Sequence, residues 1–401
     1  MDNKENKTLN VPTLRFKKYD TNWDRKKLSD YVKKITRKNS NNVIKNIICN
    51  SAQNGLIPQL DFFDKEIAND ENTAGYYIIS NGDFVYNPRK SLSAPYGPVN
   101  IYKYDNDGIV SPLYLCFSVD DCINKSFLLQ RFKSPCWYRY IYLNGDSGAR
   151  HDRVSIKDEV FLSQPINLPN AEEQADIAEF LEKIDKRIFV QNKIISDLKT
   201  LKKELCNKYF KFVHNNTSLG YVTLKDILSE RKEYCSKDGT YTHGTLSKEG
   251  VSPKTERYDR DFLVKNEDKQ YKVTHFNDIC YNPANLKFGV ICRNTYGDLI
   301  FSPIYVTFEI TDTVYPAYIE LFLTNANFIG RIRRYEQGTV YERMAVSPED
   351  FLSYETRMPT YEEQAKFADK IQRIQDKIKL ETLFLNCLQK QRKYLLSVMF
   401  I

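Results

Sequence analysis

LPNAEEQA, residues Leu168–Ala175, returns 190 positions later as MPTYEEQA, residues Met358–Ala365. The match continues on both sides without a gap, and at this constant offset it joins Gly148–Phe210 to Gly338–Phe400. A long internal repeat of this kind determines the architecture of a chain. The sequence therefore predicts two copies of one unit, each a globular part followed by a long helix.

Upstream of this block the offset between matching residues increases in steps. Three motifs of the first copy, Ser111-Pro112-x-Tyr114, Tyr86-Asn87-Pro88 and Leu28-x-Asp30, match Ser302-Pro303-x-Tyr305, Tyr281-Asn282-Pro283 and Leu224-x-Asp226 at offsets of 191, 195 and 196. Stepwise drift is what loop insertions between retained elements produce. The duplication is therefore predicted to include the whole globular part of each copy.

The globular parts have the composition of strand-rich structure with an added helix. Aromatic and β-branched segments that predict strands lie between turn residues, and they are Tyr76–Ser80, Phe84–Tyr86, Val99–Tyr104 and Tyr114–Val119, then Ile279–Tyr281, Phe288–Cys292 and Ile304–Ile310. One helix is predicted after the last strand of each copy, at Ser126–Tyr142 and Ala317–Tyr335. Asn and Pro after a strand, as at Tyr86-Asn87-Pro88, favour a turn.

Each repeat ends in a segment with heptad periodicity. Apolar residues follow steps of three and four, and they are Ile177, Leu181, Ile184, Ile188, Ile195, Leu198, Leu205, Tyr209 and Phe212 in the first copy and Phe367, Ile371, Ile374, Ile378, Leu385, Leu388, Leu395 and Met399 in the second. Polar residues interrupt both stripes at equivalent positions, Gln191 and Lys202 against Glu381 and Arg392. Each helix is predicted to be about 60 Å long.

Charge predicts how the two helices pair. The first begins with Glu172 and Glu173 and ends with Lys208 and Lys211, and the second also ends in basic residues. An antiparallel pair places each basic end beside an acidic start, which also suits the helix dipoles. The alternative is that each stripe packs on its own globular part.

The predicted fold class is therefore α+β, with two tandem strand-rich α/β domains. Each domain is followed by a long helix, and the helices pair as an antiparallel coiled coil with pseudo-two-fold symmetry. The predicted boundaries are 1–170 for the first domain, 171–213 for the central helix, 214–360 for the second domain and 361–401 for the C-terminal helix.

Composition restricts the functional classes. Lys and Arg number 59 against 52 Asp and Glu, and a net charge of +7 permits nucleic-acid binding without demonstrating it. No apolar run reaches the roughly 18 residues of a membrane span, and the polar start MDNKENKTLN lacks a signal-peptide core. Nine cysteines without CxxC spacing and four scattered histidines predict reduced thiols, a cytoplasmic location and no metal site.

Enzyme signatures are missing from the sequence. There is no Gly-x-x-x-x-Gly-Lys-Ser/Thr nucleotide loop, no Gly-x-Gly-x-x-Gly, no Gly-x-Ser-x-Gly and no His-Glu-x-x-His. An amino-methyltransferase would need an Asn/Asp-Pro-Pro-aromatic loop, and the chain has no Pro-Pro pair. Scattered carboxylates beside a lysine are expected by chance at this composition. We therefore predict no catalytic residues.

The motifs together resemble those of a known family. Pro12-x-Leu14-Arg15-Phe16, Trp23 and Leu28-Ser29-Asp30 precede the Leu/Met-Pro-x-x-Glu-Glu-Gln box, which occurs twice before long helices. This arrangement resembles the specificity subunit of type I restriction–modification systems over essentially the whole chain. The resemblance implies two target recognition domains, each reading one half of a split double-stranded DNA sequence, with the two helices as the spacer. It also implies docking of methyltransferase subunits, expected to be two, and of restriction subunits.

The resemblance places catalysis and cofactors in the partners. S-adenosylmethionine, ATP and magnesium are expected there, with none in this subunit and no membrane involvement. Two alternatives remain from the residues alone: a self-contained DNA methyltransferase or nuclease with an unrecognised site, and a coiled-coil scaffold protein that does not bind DNA.

Candidate DNA contacts come from side-chain chemistry, because the resemblance does not supply them. Arg, Asn and Gln read base edges, and Lys and Arg hold phosphates. The predicted contacts in the first copy are Asn87, Arg89, Lys90, Arg131, Lys133, Arg150 and Arg153. Those in the second copy are Asn282, Asn285, Lys287, Arg293, Arg331, Arg333, Arg334 and Arg343. Arg153 and Arg343 lie in the shared block, where a structural role is an equal expectation.

Overall fold

The structure is a computed structural model that describes residues 10–59, 73–146, 152–236, 240–248, 250–254, 270–337 and 345–401. It divides into two compact units. The first contains residues up to Asn192 together with Leu383–Ile401, and the second contains Lys193–Thr382. Each long helix is therefore shared, because each half packs with a different strand-rich domain. No helix among the described residues is long and apolar enough to cross a membrane.

The first unit begins with short strands and ends in the first long helix. Its elements in chain order are β1 (Asp24–Lys27), β2 (Val32–Lys34), β3 (Ile48–Ser51), β4 (Gly55–Pro58), β5 (Tyr77–Ile79), β6 (Phe84–Tyr86), β7 (Val99–Ile101), β8 (Gly108–Val110), β9 (Leu115–Val119), α1 (Lys125–Lys133), α2 (Tyr138–Asn144), α3 (Asp158–Leu162), β10 (Pro165–Leu168) and α4 (Ala171–Asn215). A 3-10 helix, Leu28–Asp30, joins β1 to β2.

The second unit repeats this order. Its elements are β11 (Tyr221–Thr223), β12 (Leu228–Glu230), β13 (Tyr234–Cys235), β14 (Thr242–Ser247), β15 (Gly250–Pro253), β16 (Tyr271–Thr274), β17 (Ile279–Tyr281), β18 (Ile291–Arg293), β19 (Leu299–Phe301), β20 (Val306–Ile310), α5 (Pro316–Leu323), α6 (Ala326–Ile332), α7 (Pro348–Leu352), β21 (Glu355–Arg357) and α8 (Tyr361–Val398). Three 3-10 helices accompany them at Leu224–Asp226, Pro283–Phe288 and Arg333–Tyr335.

Strand pairing confirms the duplication. The sheet β2-β9-β6-β7 of the first unit corresponds to β12-β20-β17-β18 of the second, and all neighbours in both are antiparallel. The terminal pair β1-β10 corresponds likewise to β11-β21. The units differ where β14-β15 joins β13, β16 and β19 in a five-stranded sheet. The fold class predicted from the repeat is thus confirmed at the level of strand-rich domains with long helices.

The same aromatic contact lies at the centre of both units. Tyr86 at the end of β6 stacks on Phe161 of α3, with ring centroids 4.2 Å apart. The equivalent Tyr281 stacks on Phe351 of α7 at 4.9 Å. These four side chains are buried. Stacked rings at this distance stabilise the fold beyond the contribution of their buried area. The shared block therefore fixes the end of the central strand in each unit, and in the first unit the turn that contains Asn87 begins there.

Helices α4 and α8 run antiparallel within each unit. In the first, Asp185 of α4 pairs with Arg392 of α8, while Asn167, before α4, donates to the carbonyl of Ile401. In the second, Lys202 Nζ donates to Gln375 Oε1 at 2.7 Å, and the Tyr209 ring stacks on Phe367. As numbers rise along α4, partner numbers fall along α8. The helices also pack on the strand-rich domains, because Ile177 and Leu181 of α4 join the core that contains Phe127.

The heptad prediction matches the buried residues along most of both helices. Ile177, Leu181, Ile184 and Ile195 are buried on α4. The prediction was wrong at Phe212, whose side chain is 65% exposed, because Phe210 and Val213 enter the core of the second unit instead. At its C-terminal end α4 faces the strand-rich domain as well as α8, and this moves the buried face.

Each single helix predicted after the last strand is broken in two. Ser134, at the end of α1, is extended with ψ 162° because the next residue is Pro135, whose ring disfavours helix before it. In the second unit Asn325 caps α6 by accepting from the backbone N–H of Asn327 at 2.9 Å. Its own backbone is extended, which ends α5.

Candidate nucleic-acid interface

The turn after β6 projects a basic side chain. Asn87 Oδ1 accepts a hydrogen bond from the backbone N–H of Arg89 at 3.0 Å, which folds the chain sharply after Pro88. The Arg89 side chain points outward and is 68% exposed. Asn87 therefore has a structural function. The turn that it stabilises presents the guanidinium group of Arg89 to solvent.

A second segment is held against this turn. Lys90 N–H donates to the carbonyl of Asp152 at 2.8 Å, and Val154 N–H donates to that of Pro88 at 2.9 Å. This pairing brings Arg153 beside Arg89. Asp152 lies 3.8 Å from the Arg89 guanidinium, but both side chains are at least half exposed, so this contact neutralises Arg89 little.

An asparagine network attaches a hairpin to the same place. Asn50, on β3, is buried and donates to the carbonyl of Val85 at 2.8 Å. It accepts from Asn100 Nδ2 at 2.7 Å, and its carbonyl accepts from Asn87 Nδ2 at 3.2 Å. Buried amides satisfied on several sides fix one arrangement of the segments that carry them. The β3–β4 hairpin is thereby locked beside the Arg89 turn.

These segments enclose a groove of about 430 Å³, the Arg89 groove. Its polar lining consists of Asn50, Ser51, Gln53, Asn87, Arg89, Lys90, Ser91, Ser93, Ser111 and Arg153, with the exposed Leu113 at the edge. Arg89 and Arg153 match guanine edges and the exposed Gln53 amide matches an adenine edge, while Lys and Ser suit phosphates. Among the described residues no Asp or Glu lines the groove, and Asp152 lies outside the lining, 3.8 Å from Arg89. The arrangement is chemically suited to DNA.

Sequence reasoning missed the contribution of the hairpin. Gln53 lies exposed at its tip, and its backbone N–H donates to Ser51 Oγ at 3.3 Å. The available signal was Asn54-Gly55, a dipeptide typical of hairpin turns between apolar runs. The hairpin reaches the groove through hydrogen bonds between Asn50 and residues far away in sequence, and composition does not reveal such contacts.

The second unit presents its candidates differently. Asn282 is buried and accepts from Ala284 N–H at 3.1 Å, capping the 3-10 helix Pro283–Phe288. Asn285 on that helix is exposed, and Lys287 Nζ lies 5.4 Å from the Phe288 ring centroid. The predicted strand Phe288–Cys292 was wrong in its first residues, because the helix ends at Phe288, Gly289 follows it with φ 79°, and the strand begins at Ile291. Asn285 and Lys287 remain candidates and Asn282 is structural.

The Arg331–Arg334 cluster lies at the end of α6. Arg331 and Arg334 line pockets next to His214. Arg333 is 57% exposed and lies 3.7 Å from Glu336. The structure thus brings Arg331 and Arg334 together, and places Arg333 in a separate surface pair.

Burial contradicts one predicted contact, Arg131, and the structure places two others, Lys133 and Arg293, in ion pairs within their units. Arg131 is only 3% exposed and donates to Gln164 Oε1 at 3.0 Å and to the carbonyl of Pro165 at 2.7 Å, which removes it from any groove. Burial lowers its pKa. Lys133 lies 3.5 Å from Asp185, and Arg293 donates to Glu320 at 3.0 Å. All three connect secondary-structure elements within their unit.

Two predicted contacts, Arg150 and Arg343, lie outside the described residues.

The repeated box joins each domain to its helix. Gln174 Oε1 accepts from the backbone N–H of Asn124, before α1, at 3.0 Å, and its Nε2 donates to the carbonyl of Pro169 at 2.9 Å. Gln364 makes the same two bonds to Tyr315 and Pro359, at 2.9 and 2.8 Å. This geometry gives the glutamine of the box the same role in both copies, since its amide joins the start of the long helix to the domain before it.

The preceding glutamate behaves differently in the two copies. Glu173 is buried and forms a bidentate pair with Arg15, at 2.6 and 2.7 Å. Glu363 instead accepts from the backbone N–H and hydroxyl of Thr360 at the helix start. Arg15 thereby fixes the N-terminal segment to the first unit.

Among the residues that the structure describes, no group of three or more His, Cys, Asp or Glu side chains is placed to hold a metal ion.

Comparison with known proteins gives a family and a fold. Residues 20–200 match the family described as Type I restriction modification DNA specificity domain. The HsdS subunit from Thermoanaerobacter tengcongensis is similar with a TM-score of 0.50 and 14% identity, over 94% of this chain and 96% of that one. The type I S subunit from M. genitalium gives 0.53 and 13%, over 98% and 99%.

A third solved chain comes from a study of complex assembly and conformational transition of the type I R-M system. It has a TM-score of 0.57 and 13% identity, covering 93% of this chain and 96% of that one. No curated protein matches the sequence. At these identities the structural likenesses establish the fold.

Proposed function

Residues 20–200 match the type I restriction modification DNA specificity family, and from that match we propose that the chain is the DNA sequence-recognition subunit of a type I restriction–modification complex. The observation that carries this proposal is the Arg89 groove, a polar groove inside the matched region whose described lining contains Arg89, Lys90 and Arg153 and no carboxylate. Base edges in the major groove of DNA are read by the side chains it presents.

A bipartite target follows from the duplication. The second unit repeats the strand order of the first, so each is a candidate reader of one half-site. The exposed Asn285 and the half-buried Lys287 follow β17, the strand equivalent to the β6 strand that precedes Arg89. The long helices would then be the spacer, and the DNA between the half-sites would be unread.

Docking of methyltransferase and restriction subunits is supported by apolar side chains on the outer helix surfaces. In the first unit Phe189, Val190, Leu383 and Phe384 are exposed. In the second, Ile194, Leu201 and Leu380 are exposed. Exposed apolar groups at this density mark protein interaction sites. Two methyltransferase subunits suit a duplicated chain.

Catalysis is proposed for the partners. Methyl transfer from S-adenosylmethionine and ATP- and magnesium-dependent steps would take place there, because this sequence lacks the corresponding motifs. Incubating the pure chain with DNA, S-adenosylmethionine and magnesium tests the enzyme alternative. Methylation or cleavage would contradict the proposal.

The decisive experiment is selection of bound sequences from random double-stranded DNA, using the full chain alone and with methyltransferase subunits. We expect a motif of two defined blocks separated by a fixed unread spacer. A single continuous block would refute bipartite reading. Salt-independent or absent DNA binding would favour a scaffold, since phosphate contacts must weaken as salt rises.

A further inference from the structure

The second unit contains a basic pocket at the C-terminal end of α4. Its volume is about 320 Å³, within the range of small-molecule sites. Lys211 and His214 of α4 line one side, and Arg331 of α6 and Thr356 of β21 line the others. A neighbouring pocket of about 430 Å³ shares His214 and Arg331 and adds Arg334.

Positive charge in this pocket is not compensated. No carboxylate lines the first pocket, and Glu355 is the one acidic residue lining the second. Among the described residues, Lys211, His214, Arg331 and Arg334 form no ion pair. Lys211, His214 and Arg334 are exposed and Arg331 is half-buried, so the pocket presents a basic rim to solvent. Cations gathered at a concave surface without a carboxylate partner attract an anionic ligand.

The floor of the pocket is aromatic. The ring of Phe328 lies 5.1 Å from both Phe322 and Tyr354, and Phe210 lies 5.6 Å from Phe322. All four rings line the pocket beside the basic groups. Aromatic surface suits a flat apolar ring, and the combination of such a floor with a basic rim suits an anion attached to one.

We propose that the pocket of Lys211, His214, Arg331 and Arg334 binds a phosphate ester of a nucleotide. Arg and Lys hold the phosphate, for which guanidinium geometry is suited. The aromatic floor receives the base or sugar. The ligand is a free nucleotide, because the bases of duplex DNA are stacked inside the helix and cannot enter a pocket that holds the backbone phosphate. The inference does not depend on sequence recognition, because it rests on the charge and shape of the pocket.

His214 provides a direct readout. Burial and then the guanidinium groups of Arg331 and Arg357 lower its pKa. The charged groups facing it are Lys211 on α4, Arg331 and Arg334 at the end of α6, and Glu355 and Arg357 on β21. A bound phosphate adds negative charge, so it must raise the pKa of His214.

The test uses the full chain and NMR titration of its four histidines, with the His214 signal assigned through His214→Gln. Inorganic phosphate or dAMP is added at constant ionic strength against chloride. We expect the pKa of His214 to rise and Arg331→Gln to weaken dAMP binding about tenfold or more. Arg333→Gln changes a neighbouring arginine outside the pocket, and its affinity for dAMP should stay within about twofold of the wild-type value. Circular dichroism verifies that each variant is folded.

The source of the phosphate is decided by adding duplex DNA without terminal phosphates. If the duplex moves the His214 resonance and displaces dAMP, the pocket is part of the DNA interface and the free-nucleotide proposal is overturned. If dAMP alone moves it, the source is a free nucleotide. If neither dAMP nor duplex moves it, or if Arg331→Gln binds dAMP like wild type, the proposal is overturned. Sequence selection by the Arg89 groove would survive that result.

Discussion

Asp185 of α4 accepts hydrogen bonds from the guanidinium group of Arg392 of α8, with Nη2 3.2 Å from Oδ2. Gln130 Nε2 donates to the same carboxylate at 3.1 Å. Arg392 is one of the polar residues that interrupt the apolar stripes, and Lys202, its equivalent in the repeat, has Gln375 as its partner. Each of these two interruptions therefore has a polar partner on the facing helix.

Asp185→Asn is expected to destabilise the first unit by about 1–3 kcal/mol, because it leaves partly buried Arg392 without its counter-charge. Glu182→Gln, an exposed change of equal charge on the same helix, is the control. Both tryptophans, Trp23 and Trp137, are buried in the first unit, so fluorescence-monitored denaturation reports on it specifically. An equal loss of unfolding free energy in both variants would contradict a stabilising ion pair between Asp185 and Arg392.

The same pair predicts a pH dependence. Burial raises the pKa of Asp185, but the hydrogen bond from Arg392 and the charges of Lys133 and Arg392 outweigh it, so the net pKa is lowered. A carboxyl whose pKa is lowered by folding stabilises the folded state above its unfolded value, and this contribution is lost as pH falls through the folded value. The stability difference between wild type and Asp185→Asn should be full at neutral pH and shrink below about pH 4. A stability difference that grows on acidification would show that folding raises the pKa of Asp185, which contradicts the prediction.

Gln174→Ala and Gln364→Ala should each cost about 1–3 kcal/mol, because each leaves buried backbone groups unpaired. They should act on different units. Gln174→Ala is expected to lower the fluorescence midpoint, whereas Gln364→Ala should lower the midpoint by circular dichroism and leave tryptophan fluorescence less affected. The two variants are matched controls for each other. Identical fluorescence shifts would show that the units unfold together.

Arg89→Ala should reduce DNA affinity. If Arg89 reads a base, the loss is about 1–3 kcal/mol and specificity relaxes at one position of one half-site. If it holds a phosphate, binding weakens on all sequences and the salt slope falls by about one. Arg37→Ala, an exposed arginine paired with Asp107 in the same unit, is the control. Unchanged affinity on every sequence would make Arg89 an ordinary surface charge.

A fragment ending at Val213 should form an antiparallel dimer through α4, since its apolar stripe cannot remain exposed. By the repeat, Lys202 of one copy takes the place of Arg392 and meets Asp185 of the other, twice per dimer. Such a dimer is expected to select a palindrome of the first half-site around an unread spacer. Sedimentation gives the oligomeric state and selection gives the motif. A monomer, or a motif without an inverted repeat, would contradict the antiparallel pairing.

Local signals predicted much of the architecture and part of the site. Strands β6 and β17 begin and end where their aromatic and β-branched runs do. The turn at Asn87 and the exposure of Arg89 also follow from local chemistry. Arg131 could not be judged in this way, because its burial depends on Gln164 and Pro165, which are distant in sequence. The helix breaks at Pro135 and Asn325 have local causes, a proline and a capping asparagine. The sequence prediction followed the apolar residues and ran one helix through each of them.

The sequence by itself determined that there are two copies, where each long helix begins and which stripe it buries. These properties depend on periodicity, which is local, and on repetition, which is found by comparing the sequence with itself. Only the tertiary structure decided which charges are available. Arg89 and Arg131 are the same residue type, but one projects from a turn and the other lies beneath a strand. A basic side chain becomes a binding group or an internal support according to what packs over it, and that depends on contacts between segments far apart in sequence.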